Sequence, residues 1–143
     1  MSQDLDGLEA WIGETIKTLD PRSRRKLLGK IGQSLRRNTS RRMLAQIGPD
    51  GRKWAARKDG SRKKMFSRLR LARNLKTKST ADEVAIGFSG RTARIARVHH
   101  HGLRDAVTSR GVRVKYEARE MLGLSATDRG QVEAAVINWI KSE

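Results

Sequence analysis

The histidine triplet His99-His100-His101 is the first candidate for chemistry, because imidazole is a common metal ligand and general base. Consecutive residues on a helix point about 100° apart, and on a strand only His99 and His101 would share a face. The chain has no cysteine to complete a metal site, and the nearest carboxylate, Asp105, lies beyond Gly102. The spacing therefore argues against a metal site, and we interpret the histidines as structural or interface residues.

The acidic residues do not form a catalytic pattern. A hydrolase needs paired acids, or a nucleophile beside a base. Asp82-Glu83 fall in a predicted turn, and Glu117 and Glu120 lie either side of Arg119. The sequence has no G-x-S-x-G, no H-E-x-x-H and no phosphate-binding glycine loop. We predict no enzymatic activity and no cofactor, and a divalent-dependent nuclease is the enzymatic alternative.

Charge is the strongest compositional signal. The chain has 143 residues, with 32 Lys plus Arg against 15 Asp plus Glu, for a net charge of +17. Residues 20–78 contain 21 basic and three acidic side chains, whereas residues 1–19 are net −3 and residues 79–143 are net +2. A positive field of this size attracts a polyanion or an acidic protein surface.

The composition predicts one small domain outside the membrane. Only 36% of the residues are hydrophobic and six are aromatic, so the core must be modest. No stretch approaches the roughly 18 apolar residues of a membrane helix. Asp4, Asp6 and Glu9 stand where a signal peptide would be positive, and the absence of cysteine fits a reducing cytoplasm.

Two amphipathic helices are predicted in the first 47 residues. Apolar residues recur at spacings of three and four over 5–19, and Asp20-Pro21 is typical of the start of a second helix. That helix is expected to fray at 38–40 and to end before the turn sequence Gly48-Pro49-Asp50-Gly51. Residues 51–64 contain a single large apolar side chain, Trp54, so we predict a mobile basic loop at about 49–64.

The second half alternates short strands and helices. We predict strands over 69–77 and 84–88 paired as a hairpin, a short helix over 91–99 closed by Gly102, and a strand over 112–116. A last helix is predicted to begin at 125–128 and to run to the end. The fold class is α+β, with two N-terminal amphipathic helices, a basic loop, a small antiparallel sheet of about four strands and a C-terminal helix.

Three strings in the second half resemble the phage virion morphogenesis family, the tail completion proteins of contractile-tailed temperate phages. They are ARIARVHHHGLRD at 93–105, VRVKYEARE at 112–120 and MLGLSATD at 121–128. Glu117 departs from the pattern, since family members often have proline there. The residues that match the family motifs are Ala96, Arg97, His99, Gly102 and Leu103, then Tyr116, Ala118 and Arg119, then Leu122, Gly123 and Leu124.

The resemblance implies a structural protein that completes or caps the tail and makes it competent for head–tail joining. Such proteins are similar in fold to tail terminators, which form rings, often hexameric, around the DNA channel. The implied partners are further copies of the chain and the phage tail-tube and neck proteins, with no membrane. The implied location is the head-proximal end of the virion tail, after assembly in the cytoplasm of the bacterial host.

On this reading the basic loop faces the channel or a neighbouring virion protein, where non-specific DNA contact would follow from its charge. His99 and Gly102 are assigned to a structural corner. The alternative is a sequence-independent nucleic-acid-binding protein that uses the basic segment 20–78. The residues predicted to contact a partner or the DNA channel are Arg52, Lys53, Trp54, Arg57, Lys58, Arg62, Lys63 and Lys64.

Overall fold

The computed structural model describes residues 2–106 and 113–142, which form helices and short antiparallel strands and confirm the α+β class. No helix in these residues is long and apolar enough to cross a bilayer. In chain order the elements are α1 Ser2–Ile16, α2 Pro21–Leu44, β1 Leu75–Ser79, β2 Val84–Phe88, α3 Arg91–His101, β3 Arg104–Ala106, β4 Arg113–Lys115 and α4 Ala126–Ser142.

The long helix α2 is the element against which most of the others pack. Its predicted start is confirmed, because the Asp20 carboxylate accepts a hydrogen bond from the Ser23 backbone N–H at 2.8 Å and Pro21 occupies the first turn. The fraying predicted at 38–40 was wrong. Thr39 is buried and its hydroxyl donates to the Leu35 carbonyl at 2.8 Å, so this polar side chain is satisfied inside a continuous helix.

The hairpin β1–β2 lies against α2 with its apolar face inward, as predicted. The antiparallel register pairs Leu75 with Phe88 and Ser79 with Val84. Gly32 allows the close approach of helix and hairpin, since a Cβ at that position would lie 2.9 Å from Val84 Cγ2.

Two details of the predicted sheet were wrong. Residues 65–74 form successive turns, and the first strand begins only at Leu75, whose N–H donates to the Leu71 carbonyl at 2.8 Å. Leu69 is buried in a cluster at the far end of α2, which removes the alternation expected of a strand. In the described residues, β1–β2 and β3–β4 are separate two-stranded sheets, so no four-stranded sheet forms there.

Two apolar clusters lie along α2. The larger joins α1, α2 and α4 with the inner face of the hairpin, and the smaller joins the C-terminal end of α2 to α3 and to the segment before α4. The larger cluster contains Ile16, Leu19, Leu27, Leu28, Ile31, Leu35, Val132 and Val136, and the smaller contains Met43, Leu69, Ala96 and Met121.

A buried carboxylate, Asp128, connects the start of α4 to α2. It accepts from the Ser125 N–H at 3.0 Å and from Asn38 Nδ2 at 2.8 Å, while Ser125 Oγ accepts from the Asp128 N–H at 3.1 Å. This reciprocal cap confirms the predicted start of the helix. Arg42 lies 3.8 Å from Asp128, and burial lowers the pKa of the Arg42 guanidinium while the carboxylate opposes that shift.

Candidate assembly surface

The end of α3 is the point from which the candidate site is built. The helix closes at Gly102, as predicted, and this glycine has a left-handed backbone (φ +65°, ψ 47°). A Cβ at Gly102 would lie 2.9 Å from the Ala118 nitrogen and 3.0 Å from the Tyr116 oxygen. Gly102 is therefore both the helix terminator and the contact through which a second backbone segment crosses α3.

The three motif elements meet here, in a unit that we call the corner, formed by residues 96–103 and 116–124. The Arg119 N–H donates to the His99 carbonyl at 2.7 Å, and the Tyr116 N–H donates to the Leu103 carbonyl at 3.1 Å. Ala96 is buried against Met121 in the smaller apolar cluster. Residues that are widely separated along the chain thus form one local structure.

The three histidines have different surroundings. The His99 ring lies between Phe66 and Tyr116, with ring centroids 4.8 and 4.6 Å away. His100 Nδ1 accepts hydrogen bonds from the Met121 N–H at 3.1 Å and the Leu122 N–H at 3.5 Å. His101 is exposed. Within the described residues, no group of three or more histidines and carboxylates could hold a metal ion.

The partial burial of His100 makes the stability of the corner sensitive to pH. Burial lowers the pKa of His100 below its usual 6.5, His101 adds to that shift, and Glu120 opposes it. The unfolded chain therefore binds the proton more readily, so the stabilisation from neutral His100 is complete above pH 6.5 and is lost as the pH falls below it. We expect the free energy of unfolding, measured in urea, to decrease from pH 7.5 to 5.5.

The control for this prediction is the adjacent histidine. His100→Gln should flatten the pH dependence in this window, whereas His101→Gln should leave most of it, because His101 is exposed. An equally steep pH dependence in His100→Gln would show that another group titrates.

The basic loop, residues 49–64, is attached to the corner through its first half. Trp54 Nε1 donates to the Glu120 carbonyl at 2.9 Å, and the buried Arg119 guanidinium donates to the carbonyls of Ala55 and Ala56, each at 3.1 Å. The Trp54 N–H also donates to the Gln46 carbonyl at 2.8 Å. The mobility predicted for the loop stays a prediction. Because these contacts hold the segment up to Ala56, we expect the mobility in the part of the loop beyond Ala56.

The cations of the loop form an exposed positive surface. Asp59 is the only carboxylate among residues 51–64 and lies 3.4 Å from Arg57. The Ser61 N–H and the Arg57 charge lower the pKa of Asp59, so this carboxylate stays ionised and offsets one of seven positive charges. Trp54 and Arg57 are half-buried, and the exposed residues are Arg52, Lys53, Lys58, Arg62, Lys63 and Lys64.

Two residues that the sequence did not single out hold the base of the loop. Gln46 and Phe66 both have left-handed backbones, at φ +62° and +59°, which is uncommon for residues other than glycine. The Gln46 side chain accepts from the Met65 N–H at 2.8 Å and donates to the Met65 carbonyl at 3.0 Å. This clamp holds Phe66 between Trp54, 5.7 Å away, and His99. The spacing of residue types along the sequence gives no indication of this clamp.

Comparison with known proteins gives matches over most of the chain. The model of the phage virion morphogenesis family matches residues 3–141. Tail completion protein S of Escherichia phage P2 is 30% identical over 131 residues, which cover 85% of this chain and 87% of that protein. No solved structure matches the chain significantly.

Proposed function

This chain belongs to the phage virion morphogenesis family, and from that premise we propose that it completes the phage tail and makes it competent to join the filled head. The main support for this proposal is the match to the family model over residues 3–141, which includes both the corner and the basic loop. A role in tail morphogenesis follows from family membership. The more specific part of the proposal is that the chain enables the tail to join the head, and the exposed cations supply a surface for that contact.

The chain acts as a subunit of a ring at the head-proximal end of the tail. Several large apolar side chains remain exposed, with Ile95 at 48%, Ile140 at 42% and Trp11 at 38%, and a second subunit would cover part of this surface. Both sheets of the described residues have only two strands, so their outer edges are available for pairing. A hexamer is the subunit number that the family resemblance implies.

The basic loop faces either the channel or a neighbouring tail-tube or neck protein. Six of its seven cations are exposed, whereas the base of the loop is fixed to the corner by Arg119 and Trp54. This arrangement presents charge at a defined position on the subunit. Contact with DNA in the channel would be non-specific and secondary, because phosphate attraction reads no sequence.

A structural role without catalysis fits the surroundings of the histidines. His100 accepts backbone hydrogen bonds, and His99 is packed between two aromatic rings. The nucleic-acid alternative gains no support from the comparisons. Trp54 and Phe66 also pack edge to face against each other, at an interplanar angle of 80°, so they do not offer parallel faces to successive bases.

The test is deletion of the gene from the phage or prophage that encodes it, with the protein supplied from a plasmid. Without the protein, we expect filled heads and separate tails in electron micrographs and a loss of infectious particles. The plasmid should restore joined particles. Normal numbers of joined particles in the deletion strain would overturn the proposed function.

A further inference from the structure

A groove of 580 Å³ lies between the basic loop and the corner. Phe66, His99 and Tyr116 form its aromatic floor. The rest of the lining is charged and of mixed sign: Arg57, Lys58, Asp59, Lys115 and Glu117 form the rim, and the buried Arg119 also contributes. A groove that combines aromatic rings with both signs of charge suits a polypeptide segment better than a uniformly negative phosphate backbone.

Two cations of the rim are available to an occupant. Arg57 lies beside Asp59, and the buried Arg119 donates to the loop carbonyls. Lys58 and Lys115 are exposed, and neither makes an ion pair within the described residues. Both also line an adjoining depression of 470 Å³ beside Tyr116. The occupant should therefore carry two closely spaced carboxylates.

The tip of the β1–β2 hairpin carries such a pair. Thr80 Oγ1 accepts from the N–H groups of Asp82 and Glu83, each at 3.1 Å, which fixes the turn. The Asp82 side chain is 83% exposed, and its 3.7 Å contact with Arg24 is a surface ion pair of small energetic value. Glu83 is exposed as well.

The tip and the groove lie at opposite ends of α2. Arg24, near the start of α2, contacts the tip, whereas Met43, near its end, belongs to the cluster against which Phe66 packs. These two positions are 19 residues apart, which corresponds to roughly 28 Å of helix at about 1.5 Å per residue. A tip therefore reaches a groove only on another copy of the chain.

We propose that the groove receives the hairpin tip of a second copy of this chain, with Lys58 and Lys115 facing Asp82 and Glu83 of the neighbouring copy. This inference rests on the ring in the proposed function. Joining one end of a subunit to the opposite end of the next is a heterologous contact, which closes into a ring when the rotation permits. A two-fold contact between basic surfaces would instead bring like charges together.

Disulfide cross-linking tests the contact directly, because the chain has no cysteine of its own. The double variant Lys58→Cys/Glu83→Cys leaves Lys115 and Asp82 to hold the contact. Under mild oxidation we expect a ladder of covalent oligomers, both from purified protein and from tails that carry the variant. The matched control Lys58→Cys/Glu133→Cys uses an exposed carboxylate on α4 and should give no ladder.

Charge reversal gives a second readout by light scattering. Lys58→Glu/Lys115→Glu and Asp82→Lys/Glu83→Lys should each weaken self-association about 100-fold, because like charges then meet. A mixture of these two variants should assemble again with the two chains alternating, because the acidic tip of one meets the basic groove of the other and the basic tip meets the acidic groove. All four substitutions in one chain should restore assembly, and unchanged urea unfolding curves would show that each variant folds.

The absence of a ladder from tails that complete normally would overturn this inference and leave the proposed function intact. A reversed groove that loses duplex binding while assembly persists would also overturn it, in favour of a nucleic-acid site. Failure of the proposed function is distinguished by the deletion strain, in which joined particles would form without the protein.

Discussion

Replacing Gly102 with alanine is expected to lower the free energy of unfolding by about 3 kcal/mol. The left-handed backbone at φ +65° disfavours any side chain, and the new Cβ would lie 2.9 Å from the Ala118 nitrogen. The crossing segment must then move away from α3, which strains the hydrogen bonds from Tyr116 and Arg119 to the helix end. Urea unfolding at pH 7.5 measures the loss.

Gly60→Ala is the matched control for this prediction. Gly60 also has a positive φ, of +71°, but nothing lies within 4 Å of the position that its Cβ would take. Only the backbone cost of about 1 kcal/mol should remain. If both variants lost the same free energy of unfolding, the close approach at Gly102 would contribute nothing to the cost of Gly102→Ala.

Neutralising the basic loop is expected to reduce joined particles by about 100-fold, within the range that electrostatic steering supplies. Exposed cations contribute little to folding, so the free energy of unfolding should hardly change. The measurement is the number of infectious particles from the complemented deletion strain. The loop variant replaces with glutamine Arg52, Lys53, Arg57, Lys58, Arg62, Lys63 and Lys64.

A second glutamine variant with the same change in net charge separates the position of the cations from their number. It substitutes seven exposed cations on α2 and in the segment before β1, and we expect most of the particles to survive. Equal losses in the two variants would contradict a specific role for the loop. The seven are Arg22, Arg25, Lys26, Arg37, Arg41, Arg68 and Arg73.

Elements governed by local chemistry could be predicted from the sequence. Asp20 and Pro21 define the start of α2, Gly102 ends α3, and Ser125 caps α4, because each acts through backbone groups a few residues away. The alternation in 84–88 likewise identified β2.

The errors and omissions come from contacts between distant residues. Leu69 belongs to the cluster with Met43 and Met121, so its segment turns where alternation predicted a strand. Arg119 matched a family motif, but its hydrogen bonds to the loop carbonyls join residues more than 60 positions apart. The periodicity of the sequence also gives no indication of the hydrogen bonds between Gln46 and Met65. The motif residues lie in the corner, and the contacts between the corner and the loop appear only in the structure.

The most direct test of the central claim is electron cryomicroscopy of tails from the deletion strain, before and after addition of the purified protein. A ring of this chain should appear at the head-proximal end only after addition, and the treated tails should then join filled heads in extract. The account would be contradicted if the treated tails joined heads with no added density at that end. It would also be contradicted if the protein were located elsewhere on the tail.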